Sequence, residues 1–288
     1  MKELVVLSGK GGTGKTSISA ALASIAPSKV LADCDVDAAN FHLVAGGTIK
    51  QFCNFFSGFR PGVDQSLCSQ CGKCSDICRF GAMKNGFIHS ELDCEGCGVC
   101  VFNCPSHAIS LHEKYSGRWL VSDTRLGLLV HAELGLAVEN SGKLVSKVRR
   151  EANSLAVRNN KPLIITDGPP GIGCPAIATL TGASLALAVV EPSLSSIHDL
   201  ERLTTLVKHF KLPLAACINK ATLNMENRQA IINWCNLQGI EIVGEFPYSD
   251  TFYKAVRSGK TIYEMGEDEL KSQVVKLWRN VQYLLQKR

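Results

Sequence analysis

The sequence has no run approaching the roughly 18 consecutive apolar residues that a membrane-spanning helix needs, and nowhere do Lys and Arg gather into an uninterrupted tract. The first absence predicts no stable membrane insertion. The second accompanies a net charge of only +5, from 31 basic and 26 acidic side chains. That balance advertises no footprint for a phosphate backbone, so no nucleic acid is expected as a partner. The opening MKELVVLSGK also lacks the ordered basic region, apolar stretch and small-residue cleavage site of an export leader. A cytoplasmic location is the expectation.

What the sequence does have is cysteine. Thirteen occur in 288 residues, and eight of them crowd into Cys68 to Cys104 at metal-cluster spacing, which points to a reducing compartment rather than to disulfides. The other five (Cys34, Cys53, Cys174, Cys217 and Cys235) are scattered and read by default as small buried apolar residues. With 45% apolar and 20% charged residues, the chain can bury a full core and still carry a small extra module.

Outside the cysteine-dense stretch, strands alternate with helical segments, the pattern of a parallel sheet covered on both faces. Strands are predicted at Glu3 to Ser8, Lys29 to Asp33, Pro162 to Asp167, Ser184 to Val190, Leu214 to Asn219 and Ile240 to Glu245. Each is apolar almost throughout, as a strand buried on both faces should be. Helices are predicted at Gly14 to Ile25, Gly142 to Asn159, Ser195 to Phe210, Asn224 to Leu237 and Glu267 to Gln286. The fold class is therefore α/β, a doubly wound, mostly parallel sheet interrupted by a small α+β insertion. The expected boundaries are 1–58 and 113–288 for the host and 59–112 for the insertion.

The insertion is duplicated. VDQSLCSQCGKCSDICRFGAM from Val63 and SELDCEGCGVCVFNCPSHAI from Ser90 share cysteine spacings of 3, 3 and 4. Each run supplies three thiolates to one cubane cluster and sends its fourth to the other. One set is Cys68, Cys71, Cys74 and Cys104; the second is Cys94, Cys97, Cys100 and Cys78. Gly72 and Gly98 follow the second cysteine of each run, where a small residue lets the backbone wind closely. The plainer alternative is a pair of zinc knuckles, which would leave the third and fourth cysteine of each run surplus. Pairing of the outer segments of such a repeat would bring its two ends together, the condition for insertion into a host loop. Over roughly fifty residues the stretch resembles bacterial ferredoxins with two 4Fe-4S clusters, which implies one-electron transfer. Arg79 after Cys78, against Pro105 after Cys104, departs from the repeat and makes the two halves inequivalent.

GKGGTGKT, comprising Gly9, Lys10, Gly11, Gly12, Thr13, Gly14, Lys15 and Thr16, matches a phosphate-binding loop between a predicted strand and a predicted helix. Its backbone N–H groups and the helix dipole face phosphates, Lys15 reaches the terminal phosphates, and the Thr16 hydroxyl holds Mg2+. Asp35 and Asp167 sit at the carboxyl ends of buried strands, where doubly wound sheets bind ligands. Helix capping or turn formation is the bland alternative for both, while for Asp33 and Asp37, in the same turn, capping or solvent exposure is expected rather than catalysis.

The extra lysine, Lys10, completes a resemblance that covers essentially the whole chain. It is similar to the MinD/ParA class of P-loop ATPases with the nitrogenase iron protein, in a subgroup with an inserted ferredoxin domain. The resemblance implies that Lys10 contacts phosphates across an ATP-bound homodimer, Asp35 positions the attacking water, and Asp167 reaches Mg2+ through water. It also implies a second switch loop at Gly168 to Gly173 and adenine contacts from Asn219 and Pro247. Cys174 lies seven positions after Asp167, the offset of a cluster cysteine in the iron protein, but no cysteine lies between Leu111 and Asp167 to complete a bridging site. It is read as a buried thiol or as a residue at a dimer seam.

The last segment, DELKSQVVKLWRNVQYLLQKR, places Leu270, Val274, Leu277, Trp278, Val281, Leu284 and Leu285 on one helical face. That stripe is expected to pack on the sheet rather than bind a membrane surface. The functional expectation is an ATP-hydrolysing, Mg2+-dependent protein with two [4Fe-4S] clusters. Its nucleotide cycle gates low-potential electron transfer to an unidentified redox or client protein. Two alternatives stay open at this level, an ATP-dependent carrier of iron-sulfur clusters or metal, and a positioning ATPase with a redox-sensing insertion.

Overall fold

A computed structural model describes residues 1–84, 90, 92–135 and 141–287; the link between the cysteine halves, 85–89, together with Glu91, 136–140 and the terminal Arg288, lies outside them. The strands are β1 (Lys2–Ser8), β2 (Lys29–Asp33), β3 (Thr48–Val63), β4 (Ile109–Thr124), β5 (Gly127–Leu134), β6 (Leu163–Pro170), β7 (Leu185–Val190), β8 (Leu214–Ile218) and β9 (Glu241–Glu245). They are ordered β3-β4-β5-β2-β6-β1-β7-β8-β9 in one sheet. From β5 to β9 the neighbours run parallel. The helices are α1 (Lys15–Ile25), α2 (Phe41–Ala45), α3 (Lys73–Asp76), α4 (Val99–Phe102), α5 (Ser141–Arg158), α6 (Cys174–Leu180), α7 (Ser196–His209), α8 (Met225–Gln238), α9 (Asp250–Arg257), α10 (Ile262–Met265) and α11 (Asp268–Gln286).

Strand alternation splits the core in two. Leu4 and Val6 of β1 join Leu31, Ile165 and Leu187 under α1 and α11, while Val5 and Leu7 join Ala186, Ala188 and Ile218 under α6, α7 and α8. The six apolar strands predicted from sequence are present, with β6 running on to Pro170. Three strands had no counterpart in that reading. β3 and β4 carry exposed polar and charged residues along much of their length, and β5 alternates Val130 and Ala132 with His131 and Glu133. None shows the continuous apolar run of an interior strand. The short helices α2, α6, α9 and α10 were likewise unpredicted.

The chain divides into two compact units, Met1–Cys53 with Trp119–Glu133 and Ser141–Arg288, and Asn54–Arg118 with Leu134–Asn140, of which 136–140 are not described. In the second unit β3 and β4 run antiparallel. The Asp64 N–H donates to the Ala108 carbonyl at 2.7 Å, and the Ser116 hydroxyl donates to the Ser57 carbonyl at 2.8 Å, so residue numbers rise on one strand as they fall on the other. The outer segments of the cysteine repeat therefore do meet. No helix among the described residues is long and apolar enough to cross a membrane.

Candidate functional site: a phosphate loop and two cysteine sets

The phosphate loop leaves β1 at Ser8 and enters α1 at Lys15. Gly14 caps α1 in the left-handed region at φ 88°, and an added Cβ there would collide with the Asn219 side-chain amide. Only glycine meets both conditions. No side chain caps α1, so its first N–H groups stay directed at whatever the loop encloses. Asn219 donates to the Thr13 carbonyl at 2.8 Å and so ties the loop to the end of β8. The Thr13 hydroxyl is buried without a hydrogen-bond partner among the described residues.

Lys15, 6% exposed, lies 3.2 Å from Asp167 and 3.4 Å from Asp35. Asp167 also accepts from the hydroxyls of Thr16 and Ser19, both at 2.7 Å. Asp33 pairs with Asp167 across β2 and β6 and accepts from the N–H groups of Asp35 and Phe41 at 3.2 and 3.1 Å. The segment between those two residues is thereby tied at both ends, and Asp33 serves the backbone, as capping predicts.

Burial alone would pull the Lys15 ammonium down; Asp167, Asp35 and Asp33 overcome it and hold it above its ordinary value. One cation cannot serve three carboxylates. Burial keeps the Asp35 carboxyl above the usual range despite Lys15, and burial with the Asp167 charge raises Asp33 to about 8. A buried site with surplus carboxylate, a threonine hydroxyl and uncapped helix N–H groups suits Mg2+ with phosphate.

Lys10 points at its own chain. Its ammonium pairs with Glu191 at 3.0 Å and donates to the Ser193 hydroxyl at 2.7 Å. Glu191 also pairs with Lys220 at 2.7 Å, and Lys220 donates to the Gly12 carbonyl at 2.8 Å. Burial would raise the Glu191 carboxyl, but Lys220 and Lys10 hold it below the usual range. Sequence reasoning missed Glu191, Lys220 and Ser19. Glu191 follows a buried strand directly, the criterion that singled out Asp35 and Asp167. Pro247 lines a cavity of about 490 Å3 beside Phe246, Thr222 and Arg228; Asn219 is not among its walls.

The same edge exposes Cys174, which corrects its reading as a buried thiol. Pro175 follows it and α6 begins there, with Gly142 alongside. Of the scattered cysteines, Cys34, Cys217 and Cys235 are buried and Cys53 is half-buried.

The second unit gathers the eight clustered cysteines into two groups. Cys78, Cys94, Cys97 and Cys100 line a cavity of about 230 Å3; Cys68, Cys71, Cys74 and Cys104 line another of about 20 Å3. In each group the fourth thiol comes from the other half of the repeat. Gly72 and Gly98 take the left-handed region at φ 77° and 76° and start α3 and α4. Burial would raise the Cys78 thiol, but backbone N–H groups led by Met83 and Phe80 bring it below its ordinary value. For Cys104 the same contest is decided by the Ser106 hydroxyl and the Ala108 N–H. Thiols set around the larger of these volumes, with N–H groups aimed at sulfur, fit a polynuclear iron-sulfur group. Among the described residues no three His, Cys, Asp or Glu side chains converge as ligands of a single ion.

The model of the CobQ/CobB/MinD/ParA nucleotide binding domain matches residues 4–262. The chain belongs to this nucleotide-binding family. Its α/β, mostly parallel sheet with a P-loop is the MinD-like fold: MinD of Pyrococcus horikoshii, solved with Mg-ADP, superposes with a TM-score of 0.60 at 15% identity, covering 98% of this chain and 96% of that one. The Methanocaldococcus jannaschii protein MJ0578 is 35% identical over 229 residues, 78% of this chain and 80% of the relative. Pyruvate synthase subunit PorD of the same organism is 35% identical over 69 residues, 23% of this chain and 80% of that subunit.

Proposed function

We propose that this family member hydrolyses ATP with Mg2+ as a nucleotide-dependent homodimer, and couples that cycle to low-potential one-electron transfer between an inserted iron-sulfur module, residues 59–112, and a partner protein. The observation that carries the reading is chain connection. The Asp35 segment leads through α2 directly into β3, the strand that enters the unit holding both cysteine sets. A shift of that segment with the bound phosphate is thus transmitted along the backbone.

In this reading Lys15 neutralises phosphate charge, Thr16 and Asp167 hold Mg2+, and Asp35 orients the attacking water. Asn219 and Pro247 flank the base. Lys10 leaves Glu191 for the phosphates of the partner copy. Cys68, Cys71, Cys74 and Cys104 hold one [4Fe-4S] cluster, and Cys94, Cys97, Cys100 and Cys78 the other; the clusters supply one-electron chemistry when bound. The short likeness to the pyruvate synthase subunit supports a redox module, as the family match supports the ATPase. The test is anaerobic purification with iron analysis. About eight iron atoms per chain are expected, and Cys104→Ala should damage the cluster of Cys68, Cys71 and Cys74. Spectra showing loss of the other cluster would overturn the crossed assignment.

A further inference from the structure

Each oxygen of the Glu191 carboxylate has its own lysine. Lys10 lies 3.0 Å from Oε1 and Lys220 lies 2.7 Å from Oε2, and the carboxylate side chain is only 16% exposed. The two cations are anchored differently. Lys220 spans Glu191 and the Gly12 carbonyl, to which it donates at 2.8 Å. Its backbone holds the left-handed region at φ 55°, which residues other than glycine seldom take. The Lys220 N–H donates to the Asn219 side chain at 3.0 Å, and Asn219 in turn grips the Thr13 carbonyl. Lys220 is therefore fixed at both ends of its side chain.

Lys10 is held from one side. Besides pairing with Glu191 it donates to the Ser193 hydroxyl at 2.7 Å and reaches that of Ser195 at 3.5 Å, and its side chain is 35% exposed. The Ser196 hydroxyl donates to the Glu191 carbonyl, so between Ser193 and Ser196, 2.8 Å apart, Ser193 is the donor. The hydrogen bonds thus run one way, from Lys10 through the two serines to the backbone, and each serine keeps its acceptor when the ammonium departs. Asp199 lines the same small recess, but among the described residues Glu191 is the carboxylate within ion-pair distance of Lys10.

The group exposed to loss is the Glu191 carboxylate. Taking one partner from a buried ion pair strands the other charge, which costs more than the pair contributes, but here a second lysine is already in place. Against burial, which raises the Glu191 carboxyl, Lys220 is the larger of the two influences that hold it below the usual range. We propose that Lys220 is a positioning residue for Lys10: by keeping Glu191 paired, it lets Lys10 leave for the phosphates bound by a second copy of this chain, and so sets how readily the nucleotide-bound dimer forms. The proposal rests on the reading of Lys10 given above.

The test is a double-substitution cycle read by sedimentation equilibrium of the full chain, purified without oxygen, with Mg2+ and saturating AMPPNP, a non-hydrolysable analogue. Any loss of AMPPNP affinity through the Gly12 tie is measured separately by equilibrium dialysis of dilute protein, so nucleotide binding and dimer formation are read apart. Glu191→Gln removes the charge that detains Lys10, and the dimer should tighten by about tenfold, the scale of one hydrogen bond to a charged group. Lys220→Met leaves Glu191 to Lys10 alone, and the dimer should weaken by about the same factor; Lys220→Arg should restore it. With Gln at 191 no carboxylate needs a counter-ion, so adding Lys220→Met to Glu191→Gln should change dimer affinity by less than about threefold. An equal loss from Lys220→Met whether residue 191 is Glu or Gln would overturn the proposal and leave Lys220 as a structural tie to Gly12. Tightening by Asp199→Asn but not by Glu191→Gln would also overturn it, moving the hold on Lys10 to Asp199. A parent that stays monomeric with AMPPNP bound, or a Lys10→Ala variant that dimerises as the parent does, would instead bring down the reading of Lys10 on which the proposal stands.

Discussion

Asp33 lies at the carboxyl end of β2 beside Asp167 on the neighbouring strand. Burial, then the Asp167 charge, push its carboxyl up to about 8 against the pull of Lys15 and two backbone N–H groups. An unfolded aspartate titrates near about 3.9. The raised value therefore contributes stability that is full below about pH 4 and is lost as pH rises through about 8. Asp33→Asn cannot ionise, so its urea midpoint relative to the parent should climb between pH 5 and pH 8.5; a constant difference would show that Asp33 ionises normally. Lys15 and Asp35 separate binding from chemistry. Lys15→Ala removes the buried cation facing the phosphates, and ATP affinity should fall by about a hundredfold or more in equilibrium dialysis, the scale of losing a charge-assisted contact in a buried site. Asp35→Ala should bind ATP and release phosphate far more slowly. Phosphate release at the parent rate would remove Asp35 from the water-positioning role.

Helix α11 buries Leu270, Val274, Leu277, Val281 and Leu285, with Trp278 and Leu284 packed partly against the same core. That face is consumed by the sheet, as the stripe in the sequence predicts. Leu277 approaches so closely that a Cβ added to Gly244 of β9 would stand 3.0 Å from its Cδ1 atom. Leu277→Ala should cost about 2–5 kcal/mol in chemical unfolding, the range for truncating a packed core leucine. Binding to anionic vesicles should be unchanged by the same substitution, because the leucine never faces a lipid surface. A stability change under 1 kcal/mol combined with lost vesicle binding would reverse the assignment of this helix.

Across the whole molecule the two units differ in what holds them together. The host unit has two extensive apolar cores on opposite faces of its sheet. The cysteine unit has a small cluster of Cys74, Met83 and Ile109, with four of its partners being Cys78, Cys100, Cys104 and Val101. A unit of that size without a larger core depends on its staples. On the proposed reading those staples are the clusters, so removing iron with a chelator should abolish hydrogen-exchange protection across the described residues of 54–118 and leave β1, β6 and β7 protected. Coupling gives a second prediction. If nucleotide shifts the clusters' potential, reduction must shift nucleotide affinity by the same free energy. A typical coupling of about 1–3 kcal/mol, at about 59 mV per tenfold change for one electron, corresponds to roughly 40–130 mV. Anaerobic redox titration with and without ATP reads this directly. Superimposable curves alongside confirmed ATP binding would leave partner docking, not potential, as the gated step.

The sequence by itself determined the interior strands, the phosphate loop and the duplicated cysteine runs, because each is dictated locally. A strand buried on both faces must be apolar throughout, a loop curling around phosphate needs glycine at Gly14, and two runs of matched spacing need no distant residue to be recognised. The tertiary structure alone decided what depends on the register of distant segments. β3, β4 and β5 are half-exposed and mixed in character, so only their pairing with the sheet identifies them as strands. Glu191 acquires its role when β7 brings it between Lys10 and Lys220, residues 181 and 29 positions away. Cys174 proved exposed because α6 starts at the surface, which its spacing from Asp167 does not encode. The meeting of Cys78 with Cys94, Cys97 and Cys100 around one cavity has the same origin. Cys78 belongs to the first half of the repeat and the other three to the second, and only the crossing between the halves puts all four together.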